Sequence, residues 1–217
     1  MTSTMSEFVR ARRPEHKQQR RDAILTVARQ LAVDSGVANV SLGGVAAAVG
    51  LAKSNVVRYF GTREEIYLEL AAEGWRDWRD GVLRRLDAGD DVVDALAETL
   101  EARPLFCDLL SHASTSLEHN VSVAAARDYK HVMVDVISDL GSAVAKAHPT
   151  LTDREGFELV TAAAGLVGVL YPADNPPPTL AEVYAQQPDL AAARPPFLPT
   201  MKRLLAAIAA GLPTLRP

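Results

Sequence analysis

Between Gly50 and Phe60 the chain reads GLAKSNVVRYF, a stretch that interleaves Lys53, Ser54, Asn55 and Arg58 with aliphatic and aromatic residues. Arginine and asparagine side chains read base edges in a DNA major groove, an apolar side chain can touch a thymine methyl, and lysine and serine reach phosphates. At about 100° per residue, Ala52, Val56, Tyr59 and Phe60 fall on one arc of a helix. Ser54, Val57 and Arg58 fall on the opposite arc, with Lys53 and Asn55 at the borders. One polar face with a valine stranded on it is either a solvated surface with a stray apolar residue or a recognition helix. The flanking sequence favours the recognition helix.

Such a helix needs a second one to hold it. Residues 41–60 read SLGGVAAAVGLAKSNVVRYF. Ser41 suits an N-cap, Val45 and small Ala46 face inward, and Gly50 sits where the chain must turn in a conformation that glycine takes cheaply. Leu51 plugs the turn, and Val56 and Tyr59 pack the second helix back, giving the spacing of a helix-turn-helix. Gly43 and Gly44 weaken the first helix. Charge agrees with a polyanionic partner at this end. Residues 1–63 hold ten Lys/Arg against four Asp/Glu and residues 64–217 hold thirteen against twenty-three, so that +6 and −10 combine to the net −4.

The elements that must position this motif are all helical. Alternating β-branched runs do not recur, whereas apolar residues repeat at helical spacing, as in Tyr129, Val132, Met133, Val136, Ile137, Leu140 and Val144. The expectation is an all-α fold of about nine or ten helices, three short ones preceding Phe60. Asp34-Ser35-Gly36, Gly61-Thr62 and Asp87-Ala88-Gly89-Asp90 read as breaks, Pro104 as a first helical position, and Asn120 as the cap of the following long helix. Pro172 to Pro178 is expected to be a loop. Leu159 to Leu170 is apolar on every side and is expected to be buried all round, either as the core helix of a monomer or with one face against a second subunit. The second arrangement is favoured, with Val160, Ala164, Gly165, Val167 and Gly168 meeting a partner together with Leu204, Leu205 and Ile208 of the C-terminal helix.

A hydrophobic fraction of 48% with 23% charged residues suits a soluble globular protein of one large or two modest domains. The single cysteine, Cys107, excludes an internal disulfide and reads as a buried small residue. No apolar stretch follows the N-terminal basic segment, and the run from Leu159 to Tyr171 falls short of the ~20 residues of a membrane span. A cytoplasmic protein without membrane contact is expected. The histidines lack tight ligand spacing; His112, Glu118, His119 and Asp128 could assemble a metal site, but helix-surface polarity explains them better, so no metal is expected. Neither a Gly-rich phosphate loop nor a nucleophile elbow is present, which leaves an enzyme or a cofactor without support.

With Ala28, Leu31 and Gly36 in the first helix, followed by VAAAVGLAKSNVVRYFGTREEIYLEL, the chain resembles the TetR (tetracycline-repressor-like, TetR/AcrR) family over about residues 20–70. The resemblance implies a homodimeric transcriptional regulator, expected here as a repressor. Residues 1–63 would bind double-stranded DNA at a near-palindromic operator, and residues 64–217 would dimerise and enclose a small-molecule effector. It implies that Ser41 bonds phosphate, that Lys53 and Ser54 open the recognition helix, that Arg58 and Tyr59 touch bases or backbone, and that Arg63 reaches the backbone from the next helix. Val57 departs from the family, which usually carries an aromatic phosphate anchor there. Arg63 or the basic arm Arg10-Ala11-Arg12-Arg13 is expected to substitute. The effector site would lie among the middle helices, making Trp75, Trp78, Phe106, His112, Tyr129, Met133 and Phe157 its candidate walls and a mostly apolar molecule its ligand. The competing expectation is a helical ligand-binding or scaffolding protein that has lost operator recognition.

Overall fold

The computed structural model describes the backbone of residues 4–216. Side chains are described for residues 15–216 except Ser114, so the side chains of the Arg10–Arg13 arm lie outside the described residues. Among the described residues there are eleven α-helices, short 3-10 and π turns, and no strand. α1 (Thr4–Ser35) is one 32-residue helix rather than a short one, because neither glycine nor a turn cluster interrupts it before Gly36. Gly36, at φ 82°, breaks it, and a 3-10 turn over Val37–Asn39 leads to α2 (Leu42–Ala48) and α3 (Lys53–Val57). α4 (Arg63–Asp87), α5 (Val92–Glu101), α6 (Pro104–His112), α7 (Val123–Ala147) and α8 (Asp153–Asp174) follow. Then come short α9 (Pro178–Gln186), short α10 (Pro188–Ala192) and α11 (Phe197–Gly211).

Caps decide the boundaries. Thr62 Oγ1 accepts from the Glu65 amide at the start of α4, and Pro104 occupies the first turn of α6. The long helix α7 is capped by Ser122, whose hydroxyl accepts from the Ala125 amide, and not by Asn120. Asn120 instead gives its carbonyl to the Thr62 hydroxyl and its amide to Glu64. Thr152 and Glu155 form a reciprocal capping box at α8, and Arg216 from the C-terminal end clamps Glu155. The hydrogen bond from Arg216, supported by the Thr152 amide, holds the Glu155 carboxyl down at about 2.

α8 departs from expectation in two ways. Residues 172–174 are helical and only residues 175–177 form the connection: Pro172 sits in the last turn, where it costs one bond to the carbonyl of exposed Gly168. Nor is the helix buried all round. α6, α7 and α11 pack on it, but Gly165, Gly168 and Val169 face solvent, Val169 at 70% exposure. At 22 residues α8 meets the length and composition of a membrane span, yet its acidic first turn and three packed neighbours make it the core helix of the bundle. α7 and α8 touch backbone to backbone. A Cβ on Gly156 would lie 2.2 Å from the Gly141 carbonyl oxygen, and one on Gly141 would lie 2.7 Å from the Phe157 nitrogen.

Candidate nucleic-acid interface

The helix-turn-helix is built as its sequence spacing requires. Ser41 Oγ accepts from the Gly44 amide at 3.0 Å, which caps α2 and leaves the hydroxyl proton free to donate. Gly50, at φ 71°, turns the chain, and the Leu51 amide bonds the Ala46 carbonyl at 2.9 Å. Val45, Ala46, Val56 and Phe60 are buried. α3 is only five residues long, with Ala52 as its exposed N-cap, so Ala52 does not help hold the helix down. Lys53, Ser54, Asn55, Val57 and Arg58 are all exposed, and Tyr59 is half-buried. No ion pair among the described residues ties down Lys53 or Arg58.

Two arginines beside this surface are consumed internally. Arg21 of α1 donates to the Tyr59 carbonyl at 2.8 Å, pairs with Glu69 of α4, and stacks 4.2 Å from the centre of the Phe60 ring. It thereby pins the end of the recognition segment to α1 and α4. Arg63 corrects an expectation. Its guanidinium donates to the carbonyls of Val37 and Val40, pairs with Glu64 at 3.1 Å, and lies 5.0 Å from the centre of the Tyr67 ring. With its donors turned inward and its side chain 18% exposed, it is a staple between α4 and the turn before α2. It is not a free phosphate anchor. Open clefts flank α3. One, of about 550 Å³, includes Ser41, Lys53, Val57 and Thr62 and is bordered by the Arg63–Glu64 pair. The other, of about 500 Å³, brings Lys17 and Arg20 of α1 beside Asn55, Arg58 and Tyr59. Lys17 and Arg20 are the residues that sequence reasoning counted only as charge.

Further hydrogen bonds join this end to α6 and to the start of α7. Asp108 of α6 accepts from the Val37 amide at 2.8 Å. Burial raises its pKa, but the His112 side chain and the Val37 amide outweigh that and hold it below the usual carboxylate range. The Thr62 hydroxyl meets the Asn120 carbonyl at 2.8 Å, and Glu65 accepts from the Ser122 amide at 2.9 Å.

The expected pocket residues do not line one cavity. Trp75, Trp78 and Phe106 stack on one another with ring centroids 5.4–6.2 Å apart. The Trp75 N–H donates to the Tyr129 hydroxyl at 3.2 Å, and the Trp78 N–H donates to Thr99 at 2.9 Å. Polar atoms are thus satisfied inside a packed aromatic core. His112 pairs with Asp108 at 3.4 Å, and Met133 is half-buried on α7. Phe157 is 36% exposed on α8, with its backbone against Gly141 of α7. Clefts open instead on two sides of α4. One of about 410 Å³ carries Arg21, Glu69, Arg76, Asp128 and Tyr129. A more apolar groove of about 320 Å³ is formed by Leu70, Gly74, Leu105, Phe106 and Leu109, with the Arg29–Glu73 and Arg103–Asp77 pairs beside it.

The expected dimer surface also divides. Val160, Val167 and Leu205 are fully buried in the chain's own core and cannot meet a partner. Gly165 and Gly168 are exposed, and Ala164, Leu204 and Ile208 are half-buried.

Residues 24–70 match the bacterial regulatory proteins of the tetR family, and residues 72–216 match the tetracyclin repressor-like C-terminal domain. The chain belongs to the TetR family. No curated protein matches it significantly. Among solved structures, the chain resembles a fatty acid degradation regulator, FadR, from Bacillus halodurans with a TM-score of 0.51 at 14% identity, covering 90% of this chain and 99% of that one. A transcriptional regulator FadR from Bacillus subtilis, solved in complex with stearoyl-CoA, aligns with a TM-score of 0.49 at 13% identity over 90% of this chain and 98% of that one. A TetR-family regulator from Streptomyces coelicolor A3 gives 0.40 at 18% identity over 91% and 94%. The first of these likenesses shows the shared TetR-family helical fold.

Proposed function

We propose that this TetR-family protein is a sequence-specific DNA-binding transcriptional regulator that acts in the cytoplasm as a homodimeric repressor and is released by a small, mostly apolar effector. The observation that carries the reading is the outward face of α3: Lys53, Ser54, Asn55, Val57 and Arg58 are all presented to solvent, while Arg21 and the buried Val56 and Phe60 hold the segment rigidly behind them. In this reading residues 1–63 engage a near-palindromic operator, with Arg58 and Asn55 on base edges, Val57 on a thymine methyl, and Ser41, Lys53, Ser54 and Tyr59 on or near the backbone. Residues 64–217 carry the effector and dimer contacts. The exposed Gly165, Gly168 and Val169 of α8, with half-buried Ala164, Leu204 and Ile208, support a helical interface between two copies. The apolar groove between α4 and α6 supports an effector of matching character, and the bond from Asp108 to Val37 offers it a route to the helix-turn-helix.

Selection of binding sites from random duplex DNA tests this reading. An enriched near-palindrome is expected. Arg58→Ala should weaken binding by ~1–3 kcal/mol and relax preference at one position of each half-site. Failure of the wild-type chain to enrich any duplex sequence would favour the ligand-binding or scaffolding alternative.

A further inference from the structure

Two of the positions where the family usually draws phosphate contacts give none here, which leaves Ser41, Lys53 and Ser54 as the backbone contacts of the helix-turn-helix itself. Val57 has no donor, and the Arg63 guanidinium is committed to the Val37 and Val40 carbonyls and to Glu64. An operator-binding surface still needs backbone anchors, because phosphate contacts fix register on the duplex and supply most of the sequence-independent affinity. The α1 helix provides a replacement. Its inner stripe, read at helical spacing toward the N-terminus, runs Leu31, Ala28, Ile24 and then Arg21, Arg20 and Lys17. Ala28 and Ile24 are fully buried against the helix-turn-helix core, and Arg21 is bound to Tyr59 and Glu69. Beyond that point the same stripe overhangs α3, and the residues on it become cationic and exposed.

We propose that Lys17 and Arg20 are the displaced phosphate anchors of this protein, clamping one strand of the duplex backbone in the cleft between α1 and α3. The cleft, about 500 Å³, is completed by Leu51, Asn55, Arg58 and Tyr59. It therefore holds three cations and no carboxylate, and Lys17, Arg20 and Arg58 have no ion-pair partner among the described residues. Two successive phosphates of that strand would be met from the α1 side, one by Lys17 and one by Arg20, while Arg58 and Asn55 on the other wall remain directed at the bases. A two-cation site built on one helix, three residues apart, also fixes the direction from which α3 enters the groove.

The inference rests on the DNA-binding reading and is tested on the full-length protein. Affinity for the selected operator and for a random duplex would be measured by fluorescence anisotropy across a salt series. In the Lys17→Ala/Arg20→Ala variant both affinities should fall by a similar factor. The log–log salt slope should become shallower by about 1.8 per protomer, from ~0.9 per lost phosphate contact. The selected sequence should be unchanged. Lys17→Arg/Arg20→Lys should keep the wild-type slope, and the thermal midpoint should not move because both side chains are exposed. An unchanged slope in the double alanine variant, while Arg58→Ala still alters the selected sequence, would overturn the clamp and leave the DNA-binding reading standing. A changed base preference in the double variant would make these residues base readers and also overturn it. Absence of wild-type binding would remove both.

Discussion

Two faces of the chain are left open to solvent, and they are made of opposite materials. At the helix-turn-helix end, Lys17, Arg20, Lys53 and Arg58 are exposed and have no ion-pair partner among the described residues, while Arg21 and Arg63, close by, are turned inward onto backbone carbonyls. On the α8 side the exposed residues are Gly165, Gly168 and Val169, small and apolar, beside half-buried Leu204 and Ile208 of neighbouring α11. The contrast separates two kinds of association. A charged face gains by releasing counterions and loses strength as salt rises. An apolar face gains by shedding water and is insensitive to salt or strengthened by it. One set of salt titrations on the same protein should show DNA affinity falling while self-association holds.

The largest break in this comparison should come from Val169→Glu. A charge forced into an apolar subunit contact costs about 3 kcal/mol, so the dimer dissociation constant should rise by about a hundredfold. Analytical ultracentrifugation would read that as monomer at concentrations where the wild type is dimeric, and an unshifted distribution would exclude this face from the interface. Next in size, Arg63→Ala should destabilise the fold by ~2–3 kcal/mol by orphaning the Val37 and Val40 carbonyls, as seen in urea denaturation. Its salt slope for DNA should stay that of the wild type, which is the opposite of what a phosphate anchor would do. Smaller still, Lys53→Ala should weaken all duplexes evenly and flatten the slope by ~0.9 per protomer. A sequence-selective loss would assign Lys53 to bases.

Charge also closes the apolar side at one place, and this gives the mildest test. The Glu155 carboxyl, held at about 2 by the Arg216 hydrogen bond and the Thr152 amide, lies below the ordinary glutamate value of about 4.3. A depressed folded-state pKa stabilises the fold fully above the unfolded value and is lost as pH falls through the folded one. The urea midpoint should therefore drop between pH ~5 and ~2, and Glu155→Gln should flatten that dependence while lowering the midpoint near neutrality.

What was legible in the sequence was what local spacing encodes. The Ala46–Gly50–Leu51 turn, the Ser41 cap, the break at Gly61-Thr62 and the outward face of α3 depend on residues within a few positions of each other. The fates of Arg21 and Arg63 were not legible. Their partners are carbonyls 38 and 23–26 residues away, and any residue supplies a carbonyl. The tryptophans misled for a related reason: aromatic residues on α4 suit a ligand wall, but Thr99 and Tyr129 arrive from other helices to satisfy their N–H groups. In α8, glycine and alanine counted as apolar and implied burial on all sides, whereas the fold places Gly165 and Gly168 outside and Gly156 at a helix crossing.

That crossing sets how the bundle can deform. Because a single methyl group on Gly156 would collide with the Gly141 carbonyl, α7 and α8 can neither draw nearer nor slide by a residue without driving a side chain into the opposing backbone. A rearrangement that keeps this contact would turn about it, with a displacement growing from the two glycines toward the helix ends.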